Sequence, residues 1–99
     1  MVEYLVLPGG RWLHQSEVVR PILAGAAWIR RMQIVQERED RVLLRLAPLS
    51  PPPPAEVRRI DADFRDMLGP GTETEVDIVP EIGPGPGGKY RLIVPVAGA

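Results

Sequence analysis

Cysteine is absent from the 99-residue chain, which excludes disulfides and thiolate metal sites and leaves the redox compartment unreadable. Histidine is almost absent: His14 stands alone, so a zinc site would have to rest mainly on carboxylates, against the usual nitrogen- and sulfur-rich ligand sets. No apolar run approaches the roughly 20 residues that span a bilayer, and the first residues lack the basic, apolar and small-residue order of a signal peptide. A cytoplasmic protein is the resulting expectation. Excess charge is missing too. Twelve Lys plus Arg against thirteen Asp plus Glu leave a net charge of −1, which removes the electrostatic reason to expect nucleic acid or an anionic membrane as a partner.

What is present describes a folded domain. With 44% hydrophobic and 25% charged residues, the composition is globular, and the length suits one domain over residues 1–99 and no complete multidomain enzyme. A domain of this size buries roughly 60 to 68% of its unfolded surface. Its core is therefore thin, and a site shared with a partner is more economical than a deep private one. Among the basic residues eleven are Arg and only Lys89 is Lys. A compact, rotatable ammonium and a planar guanidinium are not interchangeable, so in an Arg-rich background the lone lysine stands out.

Residues 4–7 form a short apolar strand, and Pro8, Gly9 and Gly10 supply turn chemistry before residues 11–13, which predicts a small hairpin. Ser16 is placed to cap a helix carrying Val18, Val19, Ile22 and Leu23 on one face and ending near Gly25. Pro21 predicts that this helix is short or kinked. Residues 28–36 read as a strand with Met32 and Ile34 on one face and Arg31 and Gln33 on the other. After a turn at residues 37–40 the next strand puts Val42, Leu44 and Leu46 inward and Arg41 and Arg45 outward. The two make an antiparallel hairpin, covered on one side and wet on the other.

Four consecutive prolines at residues 51–54 stop any strand and favour a stiff connection over a ligand for a proline-binding domain. From Ala55 the pattern turns helical, with Val57, Ile60, Phe64 and Leu68 as an apolar stripe, i,i+4 pairs Arg59/Asp63 and Asp61/Arg65 outside it, and Gly69 as its stop. Val76 and Ile78 alternate with Glu75 and Asp77 in another strand. A loop at residues 83–88 then leads to a strand at residues 90–94, with Leu92 and Val94 expected to face the core. The loop's glycines and prolines predict that it is among the least ordered segments. The order is βαββαβ with a short extra strand at each end, which predicts an α+β two-layer sandwich of ferredoxin-like order, with two helices on one face of a mainly antiparallel sheet.

The segment Gly83-Pro84-Gly85-Pro86-Gly87-Gly88-Lys89-Tyr90 nearly matches a phosphate-binding P-loop. Its physics does not. Tyr90 replaces the small hydroxyl that would bind magnesium, Pro84 and Pro86 offer no N–H, and a strand follows where a helix N-terminus is needed. A mobile loop can still deliver one ammonium to an anion bound elsewhere; the plainer reading of Lys89 is an exposed lysine after a flexible connection. His14 has no Ser, Cys or Asp companion at a telling spacing, so a general-base role is not supported. Trp12 and Trp28 read as core or domain-interface residues.

The closing Gly88-Lys89-Tyr90-Arg91, preceded by Pro84 and the 76–79 strand, resembles the C-terminal signature of the adenylate-forming superfamily of acyl-coenzyme A synthetases, adenylation domains and luciferases. The opening Tyr4-Leu5-Val6-Leu7-Pro8-Gly9-Gly10-Arg11 through Val18-Val19 is similar to the stretch after their interdomain hinge. With Gln33-Ile34-Val35-Gln36 before a charged turn, the layout looks most like the C-terminal domain of phenylacetate-coenzyme A ligase-like enzymes. The resemblance implies a mobile lid domain, inactive alone, that swings over a separate N-terminal ATP-binding adenylation domain. It implies that Lys89 is the catalytic adenylation lysine, with Gly87, Gly88 and Arg91 as substrate or loop support. It implies no cofactor in this domain itself, and ATP, magnesium and coenzyme A in the complete enzyme, acting on a carboxylic acid with coenzyme A or a carrier thiol as acceptor. The competing expectation is a non-catalytic ferredoxin-like module that regulates or dimerises and is indifferent to Lys89.

Overall fold

The computed structural model describes residues 4–84, 88 and 90–96. Strands β1 (Tyr4–Val6) and β2 (Trp12–His14) pair antiparallel in register Tyr4↔His14 and Val6↔Trp12, joined through a 3-10 turn at Pro8–Gly10. Period-two alternation turns Leu5 into the core and leaves Tyr4 and Val6 outside.

Helix α1 (Gln15–Leu23) follows without a break. Its cap is His14, where Ser16 was expected. The His14 ring Nδ1 accepts from the Ser16 backbone N–H at 3.1 Å while the Glu17 carboxylate accepts from the His14 N–H at 2.8 Å. The two bonds satisfy N-terminal groups reciprocally, as in a capping box. Pro21 lies inside the helix and the helix stops two residues later, in keeping with the lost donor. His14→Ala is expected to cost about 1 kcal/mol, the usual worth of an N-cap, and to lower Tm by roughly 4–8 °C for a domain of this size; a thermal melt followed by circular dichroism checks it.

Strands β3 (Ile29–Arg38) and β4 (Arg41–Pro48) form the central antiparallel hairpin, in register Met32↔Leu46, Ile34↔Leu44 and Gln36↔Val42. The turn between them is two residues shorter than expected, because Glu37 and Arg38 remain in the strand, where Arg41 bonds Glu37 at 2.7 Å. Helix α2 (Pro54–Leu68) begins at a proline, which costs nothing at a first helical position. Its stripe of Ile60, Phe64 and Leu68 is buried, with Val57 packed beside it, and the Arg59–Asp63 and Asp61–Arg65 pairs lie outside at 3.1 and 2.7 Å. Gly69 ends it at φ 86°, a conformation that strains any residue with a Cβ.

Strand β5 (Glu73–Ile78) runs parallel to β4, and β6 (Ile93–Val94) parallel to β3, giving the sheet order β5-β4-β3-β6. The result is a two-layer α+β sandwich. One face of the sheet, carrying Met32, Ile34, Val42, Leu44 and Leu46, joins Val18 and Ile22 of α1 and Phe64 of α2 in a single core. Each such side chain contributes about 1.5–3 kcal/mol when fully buried.

Three local expectations are corrected. The β1–β2 pair forms its own small sheet, so β6, and no early strand, occupies the place beside β3. Strand β6 is shorter than residues 90–94, and Ile93 is its core residue while Leu92 and Val94 are only half-buried. The parallel register sets Ile93 beside the inward Ile34, and the Leu92 carbonyl is spent on the Ile34 N–H at 2.7 Å. Ile78, which the alternation sets on the same face as Val76, is 38% exposed because β5 is the edge strand. No helix among the described residues is long and apolar enough to cross a membrane.

Candidate functional site

The far face of the sheet was expected to be wet, and at one end it is not. After β5 the ladder continues for one more bond, from the Val79 N–H to the Leu46 carbonyl at 2.9 Å, and the chain then reaches β3, where Ile82 is held by Arg31; Ile82 is buried, and so is Ala47, the β4 residue paired with Arg31. This returning segment leads into the glycine-rich loop and comes back at Tyr90. Its two ends meet on the outward residues of β3.

Arg31 donates from Nη1 to the Ile82 carbonyl at 3.1 Å, and the same guanidinium lies 5.1 Å from the centroid of the Tyr90 ring. The Tyr90 hydroxyl donates to the Met32 carbonyl, on the side of β3 where β6 has not yet begun. Burial pushes the Tyr90 phenol above its ordinary pKa, and the adjacent Arg31 cation pulls partly against that. Gln33, only 8% exposed, donates to the Arg91 carbonyl at 3.0 Å and accepts from Arg45 at 3.2 Å. A buried amide is tolerated when its groups are paired, and here donor and acceptor both are.

Of the expected site residues, Lys89 and Gly87 lie outside the described residues. Gly88 is described, exposed and at φ 75°, in the left-handed region that glycine enters without strain. Arg91 presents an exposed side chain while its carbonyl is held by Gln33. Sequence reasoning missed Arg31, Gln33 and Tyr90 as anchors of the loop ends. Alternation correctly put Arg31 and Gln33 on the outward face, but a polar residue on that face reads as solvated unless something is known to cross over it.

Elsewhere the chemistry is structural. A cavity of about 220 Å³ opens at the end of α2, lined by Leu7, Pro8, Arg11, Gly69 and Thr72 among others. Its cation is already occupied, because Arg11 donates to the Met67 and Leu68 carbonyls at 3.0 and 2.6 Å. The carbonyl end of a helix also carries negative partial charge, so this cavity does not fit a nucleotide phosphate. No group of three His, Asp or Glu among the described residues is arranged to hold a metal ion. Trp28 is in the core. Trp12 is 63% exposed and meets Tyr4 edge-on at 5.5 Å, and the His14 ring also meets Tyr4 edge-on, at 5.0 Å.

Residues 5–95 match the family model described as the CapK C-terminal domain. A search of the curated proteins finds no match. The family match spans almost the whole chain and corrects the resemblance drawn from short segments: the family is that of the CapK C-terminal domain, not the C-terminal domain of the adenylate-forming superfamily, and no link to phenylacetate-coenzyme A ligases is shown.

Proposed function

We propose, from the premise that this chain belongs to the CapK C-terminal domain family, that it serves as a small delivery domain for a site carried by a separate ATP-binding domain. In this reading the chain is inactive alone and brings the Lys89 ammonium to an acyl-adenylation centre of an ATP-dependent ligase, with Gly87, Gly88 and Arg91 supporting the loop. ATP, magnesium, the carboxylic acid and its coenzyme A or carrier thiol acceptor belong to the partner. A cytoplasmic setting suits a reaction that consumes ATP.

The observation that carries this reading is the convergence of both ends of the 83–91 segment on Arg31, Tyr90 and Gln33. The family description, a C-terminal domain, suits a part that works with another domain. Spacing in the sequence offered His14 no companion, whereas the structure sets its Nδ1 2.7 Å from Ser16 Oγ; that nitrogen is also the cap acceptor of the Ser16 N–H, and among the described residues no carboxylate bonds the ring to orient it, so the pair serves the helix end and not self-contained catalysis.

A second reading, a non-catalytic dimerisation module, is favoured by one feature. Tyr4, Val6 and Trp12 expose 44, 42 and 63% of their surfaces on one side of the β1–β2 hairpin, and contiguous exposed aromatic surface marks interaction sites. One pair of measurements separates the two. For the delivery domain, calorimetry detects no micromolar ATP binding by the chain alone, and sedimentation finds a monomer at micromolar concentration. Micromolar ATP binding would refute a nucleotide site on the partner; a tight dimer dissociated by Trp12→Ser would establish the second reading.

A further inference from the structure

We propose that the open edge of β5 is a docking site for an extended cationic segment of another polypeptide, one in which basic and apolar residues alternate and which adds to the four-stranded sheet as a fifth strand. The inference stands apart from the function proposed above, because β5 lies at the opposite edge of the sheet from β6.

The two edges of the sheet differ. Strand β6 is two residues long, and an edge that short offers little to pair with. Strand β5 runs for six residues in unbroken register with β4, from Arg41↔Glu73 to Leu46↔Ile78, and proline stands only outside it, at Pro70 and Pro80. Among the described residues no strand pairs with its other side. The Glu73 N–H bonds the Asp40 carbonyl at 2.7 Å and the Val79 N–H bonds the Leu46 carbonyl at 2.9 Å, so the odd-numbered residues spend their backbone groups on β4. Successive residues of a strand turn these groups to opposite sides. The N–H and C=O groups of Thr74, Val76 and Ile78 therefore point outward along the edge, a template for one more strand.

The side chains select the segment that fits. The register sets Thr74, Val76 and Ile78 beside the inward Val42, Leu44 and Leu46, on the face where α2 packs, and it sets Glu73, Glu75 and Asp77 on the other face. Cover over the first row is incomplete: Thr74 and Val76 are half-buried and Ile78 is exposed. Apolar side chains of an added strand lie beside this row and extend the core. The second row is acidic. One guanidinium, Arg41, is shared among Glu37, Glu73 and Glu75, and Arg38, bonded to Asp40 at 3.2 Å, reaches Glu73 only at 4.0 Å. Arg45, which the register sets beside Asp77, donates instead to Gln33 at 3.2 Å. Facing side chains on adjacent strands lie about 4.5–5.5 Å apart at Cβ, so Arg or Lys at alternate positions of the incoming segment pairs with this row. The same parity disfavours a second copy as the occupant. Two β5 edges can bond antiparallel only with even-numbered residues opposite even-numbered ones, and every such register sets the two acidic rows against each other, where like charges destabilise.

The probe is a capped synthetic peptide in which Val and Arg alternate, beside a control peptide with Glu in place of each Arg. With the Arg peptide in millimolar excess, amide exchange followed by NMR is expected to slow by about tenfold or more at Thr74, Val76 and Ile78, whose N–H groups gain partners, while Glu75 and Asp77, already bonded to β4, change little. The Glu peptide is expected to bind roughly tenfold more weakly, the scale of several cross-strand charge pairs acting together. In a chain carrying both Glu75→Lys and Asp77→Lys the preference between the two peptides is expected to reverse. Binding without slowing at the three even-numbered residues, equal affinity for the two peptides, or no binding of the Arg peptide in millimolar excess would each overturn the proposal, and so would an unchanged preference in the folded double variant. If the double variant does not fold, the exchange pattern and peptide preference of the wild-type chain decide. Slowing of the same three amides on raising the protein concentration with no peptide present would assign the edge to a second copy and overturn the proposal as well.

Discussion

Lys89→Ala is expected to slow acyl-adenylate formation by roughly 100-fold or more in a ligase carrying this domain, the scale on which the loss of one preorganised electrostatic stabiliser is felt. Attack of a carboxylate on the α-phosphorus brings two anions together and releases pyrophosphate. Charge accumulates around the phosphorus in the transition state, and a delivered ammonium lowers its energy without having to be reorganised at that moment. Thioester formation from acyl-adenylate supplied ready-made is expected to change far less, because the α-phosphorus is no longer the reacting centre. Lys89→Arg is expected to fail in the first step as well, since a broad planar guanidinium does not replace a compact ammonium among crowded phosphate oxygens. Pyrophosphate exchange beside a thioester assay on the same variants reads both steps. Equal losses in the two would indicate damaged folding or docking, and no loss in either would return Lys89 to the status of a surface lysine.

The parts of the fold that could be read in advance are those whose signal is local and repeated. The Val57, Ile60, Phe64, Leu68 stripe and the Gly69 stop place α2 to within a residue at each end, because burial on a helix has a period that one strand of sequence displays. The alternation of Val42, Leu44 and Leu46 likewise marks the buried face of β4. Where a single side chain at long range decides the outcome, local reading loses its grip. His14 caps α1 through a ring nitrogen, a task that Ser16 beside it performs far more often. Strand β6 takes its parity from Ile34, far back in the chain, so the choice of Ile93 over Leu92 and Val94 could not be seen from residues 90–94. The candidate site divides in the same way. Gly88-Lys89-Tyr90-Arg91 is conspicuous as a string, but Tyr90 and Arg91 find their anchors on Met32 and Gln33, each 58 residues away. The family followed suit. Short glycine-lysine strings carry little information and suggested one superfamily, whereas the pattern of residues 5–95 taken together assigns another family.

Phe64→Ala is expected to remove about 3–5 kcal/mol of stability, the usual cost of deleting a fully buried aromatic ring. Phe64 heads the fully buried side chains by volume and is 0% exposed, sitting where α2 crosses the sheet face that carries Ile34 and Leu44. Helix and sheet are each rigid and close-packed, so the space left by the ring cannot collapse fully, and the cavity adds to the lost transfer energy. Domains of this kind hold roughly 5–15 kcal/mol in total, so the variant is expected to melt on the order of 20 °C below wild type. Leu49→Ala supplies the contrast. Leu49 is 66% exposed, and its truncation is expected to stay within about 0.5 kcal/mol. Urea titrations of the two variants beside wild type measure both effects at once, and the slope of the Leu49→Ala transition reports whether the unfolded surface is unchanged. A Phe64→Ala loss below about 1 kcal/mol, measured against the range for core aromatics, would mean that α2 does not pack on the sheet through this stripe. The core that positions β3, and with it Arg31 and Gln33, would then have to be placed elsewhere.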